Sequence, residues 1–378
     1  MDLNPNLKIG VLGGGQLGRM MIQSAIDFNL DIAVLDPDPN APCKNLVENF
    51  VVGSLTDFDT VYQFGKDLEL ITIEIENVNT DALKKLQSEG KKVYPQPEVI
   101  ELIKDKGTQK EFYQKNGIPT SEFMLLQDMD ELIQNSNFLP AVQKLRTEGY
   151  DGRGVKVLRS EKAISEGFDP PSVLEKLVDF EKEISVIVAR NESGETKTYP
   201  VVELEFHPEA NLVEFLFSPA DISDEIERKA ADLAVEVIEK LDMVGLLAVE
   251  LFLTKEGEIL VNECAPRTHN SGHHTIEANV TSQFEQHIRA IMNLPLGETS
   301  TKSSAVMINL LGAEGYTGDA LYEGGDEVLT MENVHLHLYG KKITKPFRKM
   351  GHATIVGEDM EKVKNKAKLV KSTLIIKA

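Results

Sequence analysis

The chain has 378 residues, with 61 acidic and 40 basic side chains and a net charge of −21. This charge argues against a nonspecific nucleic-acid binder, which needs a basic surface, and the 41% hydrophobic content argues against a disordered chain. The longest apolar runs fall short of the ~18 residues that span a bilayer, and the N-terminus does not resemble a signal peptide. The two cysteines, Cys43 and Cys264, are too few for a disulfide scaffold and predict a cytoplasmic protein.

The first third of the chain alternates short apolar runs with helical patterns. Buried strands are predicted at 8–12, 31–35, 50–52 and 70–75. A helix with apolar residues on one face follows the first of these strands. Such strand–helix alternation predicts a parallel sheet with helices on both faces, and we place the end of this α/β unit near Lys104.

The rest of the chain has a different pattern. Strands are predicted at 141–145, 155–158, 172–178, 183–189, 198–204, 246–253 and 258–264, and a helix at 222–241. The last part reads as a small, mostly β module with strands at 305–310 and 334–339. Its final stretch is rich in lysine, which predicts a solvated surface.

A glycine-rich turn follows the first predicted strand and opens the first helix. Gly13, Gly15 and Gly18 match the G-x-G-x-x-G pattern, in which the backbone and the helix N-terminus bind a phosphate. Asp36 stands roughly where a dinucleotide-binding fold keeps its ribose-binding acid. An NAD-dependent dehydrogenase is therefore one interpretation. The alternative is that the glycines only pack the helix on the strand and that Asp36 belongs to a turn.

Two glutamates flank a predicted hairpin in the apolar strand pair 246–264. If the turn is centred between Glu256 and Gly257 without a bulge, Glu250 faces Glu263. Two opposed carboxylates repel each other unless a cation lies between them, and hard oxygen ligands favour Mg²⁺ with phosphate oxygens and water completing its shell. The alternative, in which both side chains point to solvent, is disfavoured by the apolar neighbours.

A second glycine-rich loop, 148–154, connects two of the predicted strands. It combines three glycines with tyrosine, aspartate and arginine side chains, and its N–H groups could fold over phosphates. Lys144 lies just upstream on a strand, and Lys106 offers a second positive charge. The alternative is an ordinary hairpin connection.

Two polar segments complete the set of candidate sites. In 265–274, His269 and His273 have the i, i+4 spacing of a helical zinc pair, but Asn-Ser-Gly predicts a loop, so we favour a substrate-facing polar loop. The basic residues of 339–349 predict an anion site such as a substrate phosphate, or alternatively a solvated run of charges.

Together these segments resemble the N5-carboxyaminoimidazole ribonucleotide synthases, a family of ATP-grasp enzymes. The resemblance is carried by GGGQLGRM, EIENV, a strand lysine followed by GYDGRG, then VEL with APRTHNSGH, and finally YGK with RKMGH. It runs from about Ile9 to about His352. The combination of GYDGRG with APRTHNSGH separates this family from the biotin carboxylases and from the formate-using transformylase.

The resemblance implies a fold and an activity. The fold is an ATP-grasp fold: a Rossmann-like pre-ATP-grasp domain (1–104), a two-lobed ATP-grasp domain (105–300) and a small C-terminal β domain (301–378). The activity is the ATP-dependent carboxylation of 5-aminoimidazole ribonucleotide with bicarbonate, with Mg²⁺, through carboxyphosphate, in purine biosynthesis. A homodimer is usual for the family. A dehydrogenase and a noncatalytic nucleotide-binding protein are the alternatives.

The resemblance also implies roles for individual residues. The ATP-binding residues would be Lys106, Lys144, Tyr150, Gly152, Glu175, Lys176, Leu177, Val178, Glu183, His207, Asn262 and Glu263. The substrate-binding residues would be Gln16, Leu17, Glu74, Tyr150, Asp151, Arg153, Asn270, Lys341 and Arg348. The catalytic residues would be Glu74, Asp151, Arg153 and Arg267. Mg²⁺ would be held by Glu250 and Glu263.

Overall fold

The computed structural model describes residues 4–147, 154–207 and 212–378. Its N-terminal part is a parallel five-stranded sheet of order β3-β2-β1-β4-β5. The elements are β1 (Ile9–Leu12), α1 (Gln16–Asp27), β2 (Ile32–Asp36), β3 (Phe50–Val52), α2 (Phe58–Gly65), β4 (Leu70–Ile73), α3 (Thr80–Ser88), β5 (Lys92–Val93) and α4 (Pro97–Lys104). The doubly covered parallel sheet expected from the strand–helix alternation is therefore confirmed.

Side-chain alternation along β1 explains why helices cover both faces of this sheet. Ile9 and Val11 point to the face that packs against Met20 and Met21 of α1. Leu12 belongs to the core on the opposite face, which includes residues of α2 and α3. Because both faces bury apolar side chains, the strands read as nearly continuous apolar runs in the sequence.

A smaller antiparallel sheet of order β6-β9-β7-β8 follows. The elements are α5 (Lys106–Asn116), β6 (Phe123–Leu126), α6 (Met129–Gln134), β7 (Ala141–Leu145), β8 (Val155–Leu158) and β9 (Ser172–Lys176). The side chain of Asp105 accepts N–H bonds from Gly107 and Thr108, which is the usual way to start a helix. Lys106 is thereby fixed as the first residue of α5.

The remaining elements form a nine-stranded sheet of order β15-β14-β10-β12-β13-β16-β21-β19, with β11 paired to β10, together with two short strand pairs. They are β10 (Phe180–Arg190), β11 (Thr196–Thr198), β12 (Val202–Phe206), β13 (Val213–Ser218), α7 (Asp224–Lys240), β14 (Gly245–Thr254), β15 (Ile259–Ala265), α8 (Thr275–Ala278), α9 (Gln283–Ile291), β16 (Ser304–Leu311), β17 (Gly318–Asp319), β18 (Leu321–Glu323), α10 (Gly325–Leu329), β19 (Val334–Leu338), β20 (Ile343–Thr344), β21 (Lys349–Gly357), α11 (Met360–Thr373) and β22 (Ile375–Lys377).

The C-terminal module shares this sheet with the part of the chain before it. Strand β13 pairs with β16, so the sheet runs without a break from the β14–β15 hairpin to β21 and β19. The lysine-rich stretch forms α11, which buries Val363, Ala367 and Val370. The module is therefore less purely β than its sequence indicated, because the lysines occupy one face of an amphipathic helix.

Strand alternation in β10 and β14 separates a core face from a polar face. Val186, Val249 and Leu251 pack in the same core as Ala234 and Val237 of α7. Glu250 lies between two of these core residues and therefore points to the opposite face of the sheet. Among the described residues, no helix combines the length and hydrophobicity needed to cross a bilayer.

Candidate active site

Glu250 and Glu263 are directly paired across β14 and β15, as the sequence predicted. The reasoning behind that prediction is only partly right, because the hairpin contains a bulge. From Leu251 to the turn, the two strands pair one residue out of the expected register, and the register shifts between Glu250 and Leu251. Asn262 is the extra residue at that shift. The bulge restores the pairing of the two glutamates and changes the local direction of β15.

The lysines near Glu250 and Glu263 do not fully neutralise the negative charge of the carboxylates around them. Burial raises the pKa of Glu250, and the neighbouring Glu263 and Glu183 raise it further. Burial also acts to raise the pKa of Glu263, but the ammonium groups of Lys106 and Lys144 outweigh it and lower that pKa. Two half-buried carboxylates that repel each other are a suitable pair of ligands for a divalent cation.

The donor set fits Mg²⁺. Within the described ranges, no group of three or more histidine, cysteine and carboxylate side chains is placed to hold a metal ion. Mg²⁺ commonly takes only one or two protein carboxylates and completes its shell with substrate phosphates and water. Glu250 and Glu263 would therefore be sufficient protein ligands beside a bound nucleotide.

Two of the predicted phosphate-binding lysines lie next to the carboxylate pair. The Nζ of Lys106 contacts Oε2 of Glu263. The Nζ of Lys144 donates to Oδ1 of Asn262 at 2.7 Å and lies 3.0 Å from Oε1 of Glu175. The structure thus brings these five predicted residues together from α5, β7, β9 and β15.

In the segment 175–178, which the family resemblance predicts to bind ATP, two side chains contact groups of the protein itself. The carboxylate of Glu175 is 3% exposed and contacts Lys110 and Ser121, both at 2.8 Å. Burial opposes its charge, but Lys144 and Lys110 outweigh burial and lower the pKa of Glu175 to about 2. The Nζ of Lys176 donates to the carbonyl of Phe138 at 2.7 Å.

Sequence reasoning missed Lys110, although one signal was available. Lys106 and Lys110 have the i, i+4 spacing that puts two side chains on the same face of a helix. Burial lowers the pKa of Lys110 to about 8, and Glu175 opposes that shift. A lysine in the first turns of α5 is easily read as a solvated charge, and only the fold shows that this one is buried.

Glu183 and His207 are further predicted nucleotide contacts. Glu183 lies on β10, and burial raises its pKa to about 7, with Lys144 opposing and Glu263 adding to the shift. Glu183 therefore belongs to the same group of charged side chains as Lys144 and Glu263. His207 directly follows β12, with its ring 5.6 Å from the ring of Phe347 and its Nε2 3.9 Å from Glu214.

The N-terminal glycine-rich turn is held by two carboxylates of the protein. Glu74 accepts the N–H groups of Gly15 at 2.8 Å and Gly18 at 2.7 Å, and Asp36 accepts that of Gly14 at 2.6 Å. These are N–H groups that a dinucleotide pyrophosphate would need. A Cβ atom on Gly15 would lie 2.4 Å from Oε1 of Glu74, so this glycine allows the carboxylate to approach.

Two of the predicted substrate residues, Gln16 and Lys341, come together from distant parts of the chain. The Nζ of Lys341 donates to Oε1 of Gln16 at 2.8 Å, which connects the C-terminal module to the start of α1. Leu17 is buried in the core beneath that position. Arg348 donates to the carbonyl of Ile343 at 2.5 Å.

Arg267 and Asn270 occupy the segment after β15. The Nε of Arg267 lies 2.9 Å from Oε1 of Glu76, and its charge also acts on Glu74. The amide of Asn270 exchanges two hydrogen bonds with the amide of Asn309. Glu76 and Asn309 were not singled out from the sequence as site residues.

His269 and His273 are not arranged as a zinc pair. Nδ1 of His269 lies 3.0 Å from Oγ of Ser271, and its Nε2 lies 3.7 Å from Glu250. His273 is fully buried against the rings of Phe284 and His352. Tyr150, Asp151, Gly152 and Arg153 lie outside the described residues.

Three family models match the chain. They are a ribonucleotide synthetase preATP-grasp domain over residues 7–104, an ATP-grasp domain over 111–284, and a phosphoribosylaminoimidazole carboxylase C-terminal domain over 305–366.

Similar proteins cover nearly all of the chain. The N5-carboxyaminoimidazole ribonucleotide synthase of Bacillus subtilis is 39% identical, over 93% of this chain and 92% of that protein. The chloroplastic phosphoribosylaminoimidazole carboxylase of Vigna aconitifolia is 41% identical over 94% of this chain, which spans only 65% of the length of that relative.

The chain is also similar to solved structures of proteins with closely related names. The N5-carboxyaminoimidazole ribonucleotide synthetase of Thermotoga maritima has a TM-score of 0.90 at 44% identity and covers 98% of this chain and 99% of its own. The Aspergillus clavatus N5-carboxyaminoimidazole synthase, in complex with ADP and 5-aminoimidazole ribonucleotide, has a TM-score of 0.89 at 34% identity, with 98% of each chain covered. The dehydrogenase interpretation is therefore wrong, and the chain belongs to the N5-carboxyaminoimidazole ribonucleotide synthase family of ATP-grasp enzymes.

Proposed function

We propose that the chain uses ATP to carboxylate 5-aminoimidazole ribonucleotide with bicarbonate, forming N5-carboxyaminoimidazole ribonucleotide, ADP and phosphate. The observation that carries this proposal is the half-buried, directly paired Glu250 and Glu263, flanked by Lys106 and Lys144. The name of the equally long Bacillus subtilis relative and the two ligands of the Aspergillus clavatus complex support the choice of substrates.

The chemistry explains why ATP is needed. Bicarbonate is a poor electrophile because its leaving group would be hydroxide. Attack of a bicarbonate oxygen on the γ-phosphorus of ATP releases ADP and gives carboxyphosphate. The amine of the ribonucleotide then attacks the carboxyl carbon, phosphate leaves, and the nitrogen loses one proton. Phosphoryl transfer of this kind depends mainly on positioning and on neutralising charge.

The described residues suit these tasks. Lys106 and Lys144 would bind the phosphates of ATP, because both ammonium groups lie beside the carboxylate pair. Mg²⁺ held by Glu250 and Glu263 would supply further neutralising charge to the phosphates. Water exclusion would protect carboxyphosphate from hydrolysis, and we assign that role to the loop 148–154.

The ribonucleotide would bind on the N-terminal side of the site. We place its phosphate near Gln16 and Lys341, which meet across the N-terminal and C-terminal parts of the chain. Arg267 and Asn270 follow β15 and would lie between the nucleotide and the ribonucleotide. Asp151 is, with Glu74, our candidate for orienting or deprotonating the amine.

The experiment is a phosphate-release assay with ATP, in which 5-aminoimidazole ribonucleotide and bicarbonate are each omitted in turn. We expect full activity only with both present, and transfer of label from ¹³C-bicarbonate to a carbamate detected by NMR. Phosphate release that is independent of the ribonucleotide, or nucleotide binding without turnover, would contradict the proposal.

Three further features of the protein belong to this proposal. We propose the division into 1–104, 105–300 and 301–378, supported by the limits of the matching family models. We propose a homodimer, for which light scattering should give twice the monomer mass. A cytoplasmic location is proposed from the cysteine content, and fractionation of cells that produce the protein tests it.

A further inference from the structure

A buried lysine that the proposed function does not use lies behind the phosphate-binding lysines. Lys110 on α5 is 2% exposed. Its ammonium group lies 2.7 Å from Oγ1 of Thr120, 3.2 Å from Oγ of Ser121 and 2.8 Å from Oε2 of Glu175. An ammonium group has three N–H donors, so these three partners use all of them. Lys110 is therefore held in place and does not itself offer a donor to a ligand.

The contacts of Lys110 close a ring that joins the smaller sheet to the larger one. The other oxygen of Glu175 lies 3.0 Å from Nζ of Lys144, which donates to Oδ1 of Asn262 at 2.7 Å. The preceding residue, Val261, accepts a hydrogen bond from the hydroxyl of Thr120 at 2.7 Å. The hydroxyl of Thr120 also accepts a hydrogen bond from the ammonium group of Lys110, and this contact closes the ring.

The presence of a buried ion pair between Lys110 and Glu175 requires a physical explanation. Removing two charges from water is costly, and apolar residues of similar size often stabilise a fold equally well. Glu175, however, also contacts Lys144, which the proposed function assigns to the phosphates of ATP. Without Lys110, the Glu175 carboxylate would lose its nearest cation, and more of its charge would act on Lys144 and compete with the phosphates for the ammonium group.

We propose that Lys110 is a positioning residue for nucleotide binding. It neutralises Glu175 and so leaves Lys144 in a fixed place with an ammonium group available to the phosphates. The inference rests on the proposed function, because it takes Lys144 as a phosphate ligand. It adds a residue that contacts neither nucleotide nor ribonucleotide.

The test uses the full-length protein and three variants of the ring. Lys110→Met removes the positive charge of the lysine. Thr120→Val keeps that charge but removes the hydrogen bond from the Thr120 hydroxyl to the carbonyl of Val261. Lys110→Met/Glu175→Gln removes both charges of the ion pair. Lys115→Met is the matched control, because Lys115 is an exposed lysine on the same helix. Binding of Mg·ADP is measured by calorimetry, and KM is measured separately for ATP and for 5-aminoimidazole ribonucleotide.

We expect Lys110→Met to weaken Mg·ADP binding about tenfold or more and Thr120→Val to weaken it about threefold, while KM for the ribonucleotide stays within about twofold. The double variant should bind Mg·ADP more tightly than Lys110→Met, because the carboxylate that competes for Lys144 is removed as well. Unchanged Mg·ADP binding in Lys110→Met would overturn the proposal, as would a double variant no better than the single one. If Lys110→Met does not fold, Thr120→Val decides by the same measurement. Calorimetry measures Mg·ADP binding even if the protein does not catalyse the carboxylation. Failure of the proposed function can therefore be distinguished from failure of the role proposed for Lys110.

Discussion

The side-chain amides of Asn270 and Asn309 hydrogen-bond each other reciprocally, with N–O distances of 2.8 and 2.9 Å. Asn270 follows β15, and Asn309 lies on β16 in the C-terminal module. Asn309 also donates to the carbonyl of Val213 at 2.8 Å, which fixes the orientation of its own amide. The C-terminal module therefore determines which atoms of the Asn270 amide face the proposed ribonucleotide site.

Replacement of Asn309 should weaken ribonucleotide binding without weakening ATP binding. Asn309→Asp keeps the side-chain size but removes the donor to Asn270 and to Val213. Of these two lost hydrogen bonds, the one to Asn270 bears on the ribonucleotide site, and its loss of about 1 kcal/mol corresponds to an increase in KM for 5-aminoimidazole ribonucleotide of about fivefold. Steady-state kinetics with each substrate varied in turn checks this. Equal increases in both KM values would instead indicate a general loss of structure.

Replacement of either paired glutamate should abolish turnover without harming the fold. Glu263→Gln and Glu250→Gln remove one charged metal ligand each, and we expect kcat/KM for Mg·ATP to fall about 100-fold or more, equivalent to about 2.7 kcal/mol. Because the two carboxylates repel each other, the melting temperature without Mg²⁺ should not fall in Glu250→Gln.

The thermal shift caused by Mg·ADP provides a second measurement for the same pair. It should be large in the unmodified protein and in Glu256→Gln, whose glutamate is exposed in the turn of the same hairpin. It should be lost in Glu263→Gln. Retention of a full Mg·ADP shift in Glu263→Gln would contradict the metal assignment.

The local patterns of the sequence were sufficient for the N-terminal sheet but only in part for the glutamate pair. The apolar runs around Ile9 and Leu70 are short and lie between clear helical patterns, so their parallel arrangement follows from general rules. The pairing of Glu250 with Glu263 was predicted from a hairpin register that is one residue off, and the bulge at Asn262 compensates for that offset. Nothing in the local sequence marks the bulge.

Contacts between residues far apart in sequence could not be predicted in this way. The link from Lys341 to Gln16 and the pairing of β13 with β16 depend on how the sheets assemble. The burial of Lys110 likewise depends on Glu175, which arrives from another strand. A buried charge is recognised only when its partner is known, and the partner is set by the tertiary fold.

Both thiols should be unreactive in the native protein. Cys43 and Cys264 are buried, and burial raises the pKa of Cys43 strongly and that of Cys264 to about 12. Since the thiolate is the reactive form, Ellman's reagent at pH 7.5 should modify neither cysteine on a timescale of minutes, and both should react in denaturant. Rapid modification of either thiol in the folded protein would show that the core around it opens.

Buried histidines should make part of the stability depend on pH. Burial lowers the pKa of His287 to about 4 and that of His274 to about 3. Nε2 of His287 lies 2.9 Å from Oγ1 of Thr72, inside the core between α9 and β4. An unfolded histidine takes up a proton near pH 6.5, and the native one does so only at lower pH. The free energy of unfolding therefore falls as the pH drops below about 6.5, by about 2 kcal/mol per such histidine at pH 5.

The contribution of His287 is best isolated by comparing variants, because burial also raises the pKa of Glu183 to about 7. That glutamate binds its proton more tightly in the native state, so its effect on stability between pH 7 and 5 has the opposite sign. Urea unfolding at both pH values should show that His287→Gln loses stability at pH 7 but depends less on pH than the unmodified protein, by about 2 kcal/mol. His335→Gln, which replaces an exposed histidine on β19, should keep the original dependence. If His287→Gln and His335→Gln gave the same difference between the two pH values, the native His287 would already be protonated at pH 5.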